Sequence, residues 1–158
     1  AEDAPLSPPY GLITCGASLH WMDLEVVLPR FGVALAPDAV VAVADTENVH
    51  GPYRDEVLGT IKAYSEIEHH RGTKELVDDM RSSGRFVVEG EEWTKAESFE
   101  QSVDEYIEFL HSTSTLARVR LGARSSVFDE RVRAIFARHL IERLRYGVVG
   151  FVAWGRPA

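Results

Sequence analysis

At 158 residues, with 45 % apolar and 27 % charged content, the chain is long enough for one domain with a real core and has an ordinary globular composition. Twenty-five acids against 17 Lys plus Arg give a net charge of -8, which argues against a nucleic-acid partner, because a polyanion meets a like-charged average surface. No window approaches the roughly 18 apolar residues of a membrane span, the start AEDAPLSPP lacks the basic and apolar regions of a signal peptide, and the single cysteine, Cys15, excludes an internal disulfide or a Cys-based metal cluster and fits a cytoplasmic location.

Residues 1–9 are turn-like, with three prolines. LITC then reads as a short buried strand, set off by prolines and glycines. It is apolar throughout and is expected in a sheet interior. Gly16, Ala17 and Ser18 follow as small residues that let the backbone approach another group closely. Asp23 caps a helix whose Leu24, Val27, Leu28, Phe31 and Leu35 repeat at three and four, with Pro29 inside the pattern and Pro37-Asp38 ending it. AVVAVAD is a continuous apolar strand of the parallel-sheet kind. Strand, helix, strand implies a parallel crossover.

After a loop over 46–52, Tyr53, Val57, Ile61 and Tyr64 form one helical stripe. A shorter helix covers about 74–82, with Leu76, Val77 and Met80 inward and Gly84 as its stop. RFVVEGEEW is a strand near an edge, since Gly and three Glu interrupt it. Ser102 and Glu105 make a capping box for a helix carrying Val103, Tyr106, Ile107 and Leu110. A Ser/Thr-rich joint and a brief helical piece lead to a long helix over about 128–145. Its Phe128, Val132, Ile135, Phe136, His139 and Leu140 face inward, and Arg143 and Arg145 fill its last turn. VVGFVAW is the final buried strand. The expected order is β-α-β-α-α-β-α-α-β.

In open α/β sheets, ligands bind at the carboxyl ends of the strands. GASLHW is such an end and reads as half of a site. None of the twelve glycines forms GxGxxG or GxxxxGK after a strand, so the chain carries no cofactor loop of its own. A nucleophile elbow GxSxG is also missing, which excludes one common hydrolase pattern. No His/Asp/Glu spacing suggests a metal site; the adjacent His69 and His70 diverge on a helix, and His111 reads as surface.

The text AEDAPL followed by YGLITCGASLHWMD resembles the fourth-strand region of class I methyltransferases that use S-adenosylmethionine, in the small-molecule branch that includes trans-aconitate methyltransferase. GVALAPDAVVAVAD is similar to that family's next helix end and fifth strand, and RFVVEGEEW with YGVVGFVAWGRP to its closing antiparallel hairpin. Gly11 stands where the family commonly has Asp, and Asp38-Ala39 replaces its usual Gly-Gly turn.

The resemblance implies an α/β fold: the C-terminal part of a doubly wound, Rossmann-like sheet with strands resembling 4-5-7-6 and the last strand antiparallel. It implies one incomplete domain over 1–158, with a helical lid at about 52–84 that the helices around 101–123 share. The strands bearing the cofactor loop are missing from that picture, so S-adenosylmethionine is expected only together with an N-terminal half, and the chain alone is expected to be inactive.

By the same resemblance Ala1, Glu2 and Asp3 lie beside the adenine ring, Asp3 accepting from its amino group. Cys15, Gly16 and Ala17 lie beneath the methionine part, Cys15 as a buried thiol rather than a nucleophile. His20 serves as a base or orients an acceptor oxygen, and Trp21 excludes water or faces the sulfonium. The plain alternative is that Trp21 packs core. His50 and Tyr53 line the pocket of a small-molecule acceptor. A competing reading is a binding or assembly module that lost catalysis and forms a homodimer through its first strand edge. A weaker third is a stand-alone enzyme of another class.

Overall fold

The computed structural model describes residues 1–49, 51–65, 72–113 and 115–158. In chain order its elements are β1 (Tyr10–Gly16), α1 (Leu24–Ala34), β2 (Leu35–Val49), α2 (Arg54–Tyr64), α3 (Thr73–Ser82), β3 (Phe86–Trp93), β4 (Glu97–Ser102), α4 (Val103–Ser112), α5 (Arg118–Leu121), α6 (Ser125–Arg138) and β5 (Arg143–Pro157). The chain divides into two compact units. A sheet unit comprises Ala1–Glu47, Arg71–Ala96 and Val149–Ala158, and a helical unit comprises Asn48–His70 and Glu97–Val148. Of the stretch 52–84, α2 falls in the helical unit and α3 in the sheet unit.

In the sheet unit the strands lie in the order β1-β2-β5-β3. β1 runs parallel to β2, in register from Leu12 opposite Val40 to Gly16 opposite Ala44. β3 runs antiparallel to β5, from Phe86 opposite Pro157 to Trp93 opposite Phe151. Asp23 caps α1 as its spacing predicts, its carboxylate accepting from the Glu25 amide at 3.0 Å. Val27, Leu28 and Phe31 of α1, Leu76, Val77 and Met80 of α3, and Val41 and Val43 of β2 close one apolar core, which also takes in Cys15 and Leu19. Gly84, at φ +70°, ends the turn after α3 in a conformation that a side chain disfavours.

The predicted strand over 39–45 is longer, starting directly at the end of α1. Between the pairs Tyr10–Leu35 and Leu12–Val40 it carries extra residues including Pro37 and Asp38, and Asp38 takes φ +62°. Aspartate tolerates this left-handed region better than most residues, which is how the chain turns here without a glycine pair.

β1 forms one margin of the sheet order, and Leu12 is 53 % exposed. Only Cys15 of this strand is buried.

In the helical unit Tyr53, Val57 and Tyr64 pack with Tyr106, Ile107, Leu110, Phe128, Val132, Ile135 and Phe136 in a second core. The capping box of α4 forms as expected: the Ser102 hydroxyl accepts from the Glu105 amide and the Glu105 carboxylate accepts from the Ser102 amide. The long helix is corrected to α6. It stops at Arg138, and the chain turns through Leu140, at φ +54° and 91 % exposed rather than inward. Arg143 and Arg145 therefore lie on β5, not in a last helical turn. There they alternate with the buried Leu144 and Tyr146, and both guanidinium groups bond to Glu100 of β4, the antiparallel neighbour. β4 itself is not signalled in the sequence, since ESFEQS has too few apolar residues to show alternation.

Candidate functional site

The carboxyl end of β1 is the place where the sheet unit gathers predicted site residues. Past Gly16 the chain turns at Ala17, which takes φ +45° while its amide donates to the Ala44 carbonyl at 2.9 Å. A non-glycine residue in the left-handed region is uncommon, and this one lies where the strand delivers the chain to the candidate site. A Cβ at Gly16 would meet nothing within 4 Å, so the backbone there faces open space.

Leu19 is buried and anchors a single 3-10 turn, Leu19–Trp21, which packs against α3. That anchor presents the next two side chains. The His20 and Trp21 rings stand with centroids 4.9 Å apart, tilted by 49°. Trp21 is 52 % exposed, so the reading of it as core is corrected.

Glu2 is tied into the same neighbourhood. Its carboxylate accepts from the Asp23 amide at 2.8 Å, two residues beyond Trp21. That backbone bond holds the Glu2 carboxyl well below its ordinary value, at about 2. Ala1 and Asp3 flank it and are exposed. Cys15 is buried, and burial pushes its thiol up, away from the reactive thiolate.

Asp45 is a residue that the sequence reading passed over as a strand end. It follows Ala44, which pairs with Gly16. Its carboxylate accepts from the buried Thr73 hydroxyl, at the start of α3, and from the Thr46 amide at 2.8 Å. An acid closing an apolar strand at its carboxyl end was the available signal. The carboxyl ends of β1 and β2 thus bring together a small-residue turn, a His–Trp pair with an exposed indole and a partly buried imidazole, and a carboxylate fixed by a hydroxyl.

Of the acceptor-side expectations, His50 lies outside the described residues, as do His69 and His70. Tyr53 belongs to the helical unit. It is buried, its ring meets Phe136 edge-on at 5.0 Å, and its hydroxyl has no hydrogen-bond partner among the described residues. His111 is corrected from surface to interior. Among the described residues no group of three or more His, Cys, Asp or Glu could hold a metal ion, and no helix is long and apolar enough to cross a membrane.

A cleft of about 410 Å³ is lined by Leu6, Pro8, Pro29, Arg30, Val33 and Ala34. These residues precede Tyr10 or Leu35, so it sits at the amino ends of β1 and β2, opposite the His20–Trp21 turn. Its lining converges few polar groups, unlike most ligand sites.

Neither a family model nor a curated protein matches the sequence. Solved structures do match its fold. A candidate type II methyltransferase from Anaeromyxobacter dehalogenans is 19 % identical, with a TM-score of 0.55 over 98 % of this chain and 68 % of the other. A candidate methyltransferase from Bacillus halodurans is 11 % identical, with a TM-score of 0.50 over 99 % of this chain and 69 % of the other. The chain thus spans about two thirds of the length of each. Its fold is a mixed α/β sheet that resembles the Rossmann-like fold of these structures.

Proposed function

We propose that the chain is the acceptor-side part of an S-adenosylmethionine-dependent methyltransferase acting on a small molecule. The observation that carries this reading is the His20–Trp21 pair, its indole exposed and its imidazole partly buried, set by a strained small-residue turn at the carboxyl end of a parallel strand. In this reading the observed strand order β1-β2-β5-β3 corresponds to the family's 4-5-7-6. The small-molecule branch named from the sequence, and a cytoplasmic setting, belong to the same proposal.

The residues present suit only part of the cofactor. Open backbone at Gly16 and Ala17 leaves room for an extended methionine-like chain, and the exposed Trp21 ring suits a sulfonium by cation–π attraction. Ala1, Glu2 and Asp3 are proposed beside the adenine, with Glu2 fixed by Asp23 and Asp3 left exposed to bond outward. Cys15 backs the turn from the core and takes no chemical step. A phosphate-free nucleoside also needs a glycine-rich loop and a ribose-binding acid, which polypeptide outside these residues would supply beside the exposed margin of β1.

When bound, the cofactor supplies an electrophilic methyl group. The chain's own contribution is positioning and the exclusion of water, which suffice for much of an in-line displacement. His20 orients the acceptor or takes a proton from it; Trp21 shields the site. His50 and Tyr53 are assigned to the acceptor.

Radiolabelled S-adenosylmethionine, offered with a panel of small carboxylic acids and amines to the product of the complete gene, tests this reading. Transfer that falls on the order of 100-fold in His20→Gln, with cofactor affinity kept, supports it. No transfer together with no binding of S-adenosylhomocysteine overturns it. A second reading, self-pairing through β1, draws on the exposed Leu12. It requires a dimer of the chain by sedimentation that Leu12→Lys dissolves.

A further inference from the structure

The proposed chemistry does not use the cleft at the amino ends of β1 and β2. Its volume of about 410 Å³ falls at the lower end of the range of small-molecule sites, about 300–1,000 Å³. Its walls are Leu6 and Pro8, from the segment leading into β1, and Pro29, Val33 and Ala34, from the C-terminal half of α1. The two prolines bring no backbone N–H to the wall. The surface is apolar, and the single charged side chain on it is Arg30.

Acids outnumber Lys plus Arg by 25 to 17, yet Arg30 has no carboxylate partner among the described residues. One of its N–H donors goes to the Ala4 carbonyl, at 2.6 Å. Its Nε is closed off from water and has no hydrogen-bond partner among the described residues. A buried donor without an acceptor has lost its water and gained nothing in exchange. The guanidinium stays charged at every ordinary pH, so an anionic acceptor entering the cleft recovers that loss.

We propose that the cleft binds a small anionic amphiphile, a medium-chain carboxylate, whose head accepts from Arg30 and whose tail lies against Leu6, Pro29, Val33 and Ala34. A polar metabolite would turn most of its donors and acceptors toward apolar wall, a cost that one guanidinium does not offset. A plain hydrocarbon would leave the Arg30 donor unbonded. A carboxylate suits the guanidinium because its two oxygens match the planar fork of N–H groups. The orientation follows from α1. The negative end of the helix lies at Ala34, so the anionic head stays at Arg30, one turn earlier, and the tail takes the helix end. The site lies at the opposite ends of β1 and β2 from the His20–Trp21 turn and does not depend on the methyltransferase reading.

Amide spectra of the ¹⁵N-labelled 158-residue chain, titrated with octanoate, octylammonium and acetate, test this. Octanoate is expected to saturate, with shifts centred on Leu6, Arg30, Val33 and Ala34, and to bind at least about tenfold tighter than either control. Arg30→Gln should remove the preference for octanoate over octylammonium, and Arg30→Lys, which keeps the charge, should retain most of it. Val33→Asp changes a side chain that is 86 % exposed, so the fold tolerates it, and should weaken octanoate about tenfold. Equal binding of octanoate and octylammonium, shifts scattered over other surfaces, or no saturation by octanoate overturns the site; these wild-type titrations decide it even if Arg30→Gln does not fold. Octyl sulfate binding more than about tenfold tighter than octanoate overturns the carboxylate head. A dimer that Val33→Asp dissolves and octanoate leaves intact overturns the small-molecule occupant in favour of a second copy of the chain.

Discussion

Ala17 holds a backbone conformation that costs an L-residue about 1–2 kcal/mol. Its hydrogen bond to Ala44 and the anchoring of Leu19 keep it there. Ala17→Gly should relieve the strain but gain unfolded-state entropy, leaving stability within about 1 kcal/mol of wild type. Ala17→Val, branched and left-handed, should cost about 2 kcal/mol. Urea unfolding of both variants checks this; equal stability of the two would mean that the turn is not strained.

Asp129 belongs to the same scale. Burial raises its carboxyl, but the hydrogen bonds from His111 and Arg118 outweigh this and depress it on folding. The stability it contributes is therefore complete above the unfolded aspartate value of about 3.9 and is lost as the pH falls from there through its own lowered value. Wild type should therefore lose more stability than Asp129→Asn on acidification through that window. Thermal melts across it give the slope, and parallel curves would contradict the assignment.

Among the elements, those with a side-chain period strong enough to survive tertiary packing were legible. α1, α2, α3 and α4 carry their apolar stripes into the two cores as read, and the caps at Asp23 and Ser102 are in place. Ser102→Ala should cost about 1 kcal/mol, since it removes one half of the capping box and leaves an amide of the first turn unbonded; chemical denaturation measures it. What escaped the sequence had a local signal too weak or too ambiguous. β4 is six mostly polar residues stabilised by pairing with β5, a contact between distant segments. The run from His139 to Tyr146 fits a helical stripe and a strand alternation about equally, and the left-handed turn at Leu140 decides for the strand. A leucine gives no warning of such a turn. Leu140→Gly should leave stability unchanged or raise it by up to about 1 kcal/mol, whereas a helical Leu140 would make the same change costly.

The turn that carries the candidate residues was legible for a related reason: GASLHW sets a buried anchor, Leu19, beside two rings at one turn, and the exposure of Trp21 awaited the structure. Asp45 was less legible because its partner, Thr73, is 28 residues away.

At the scale of the whole molecule, a mainly aliphatic core and an aromatic-rich core stabilise two units, and the exposed Leu12 side of β1 is the feature they leave unexplained. An uncovered strand margin exposes backbone donors and acceptors as well as apolar surface, and natural sheets usually cover or charge it. The account assigns that margin to a cofactor-binding half. Calorimetric titration with S-adenosylhomocysteine, run on the 158-residue chain and on the product of the complete gene, tests this most directly. The account predicts saturable binding by the gene product, weakened by Trp21→Ala, and no heat of binding from the chain alone. Equal binding by both, or by neither, would contradict it.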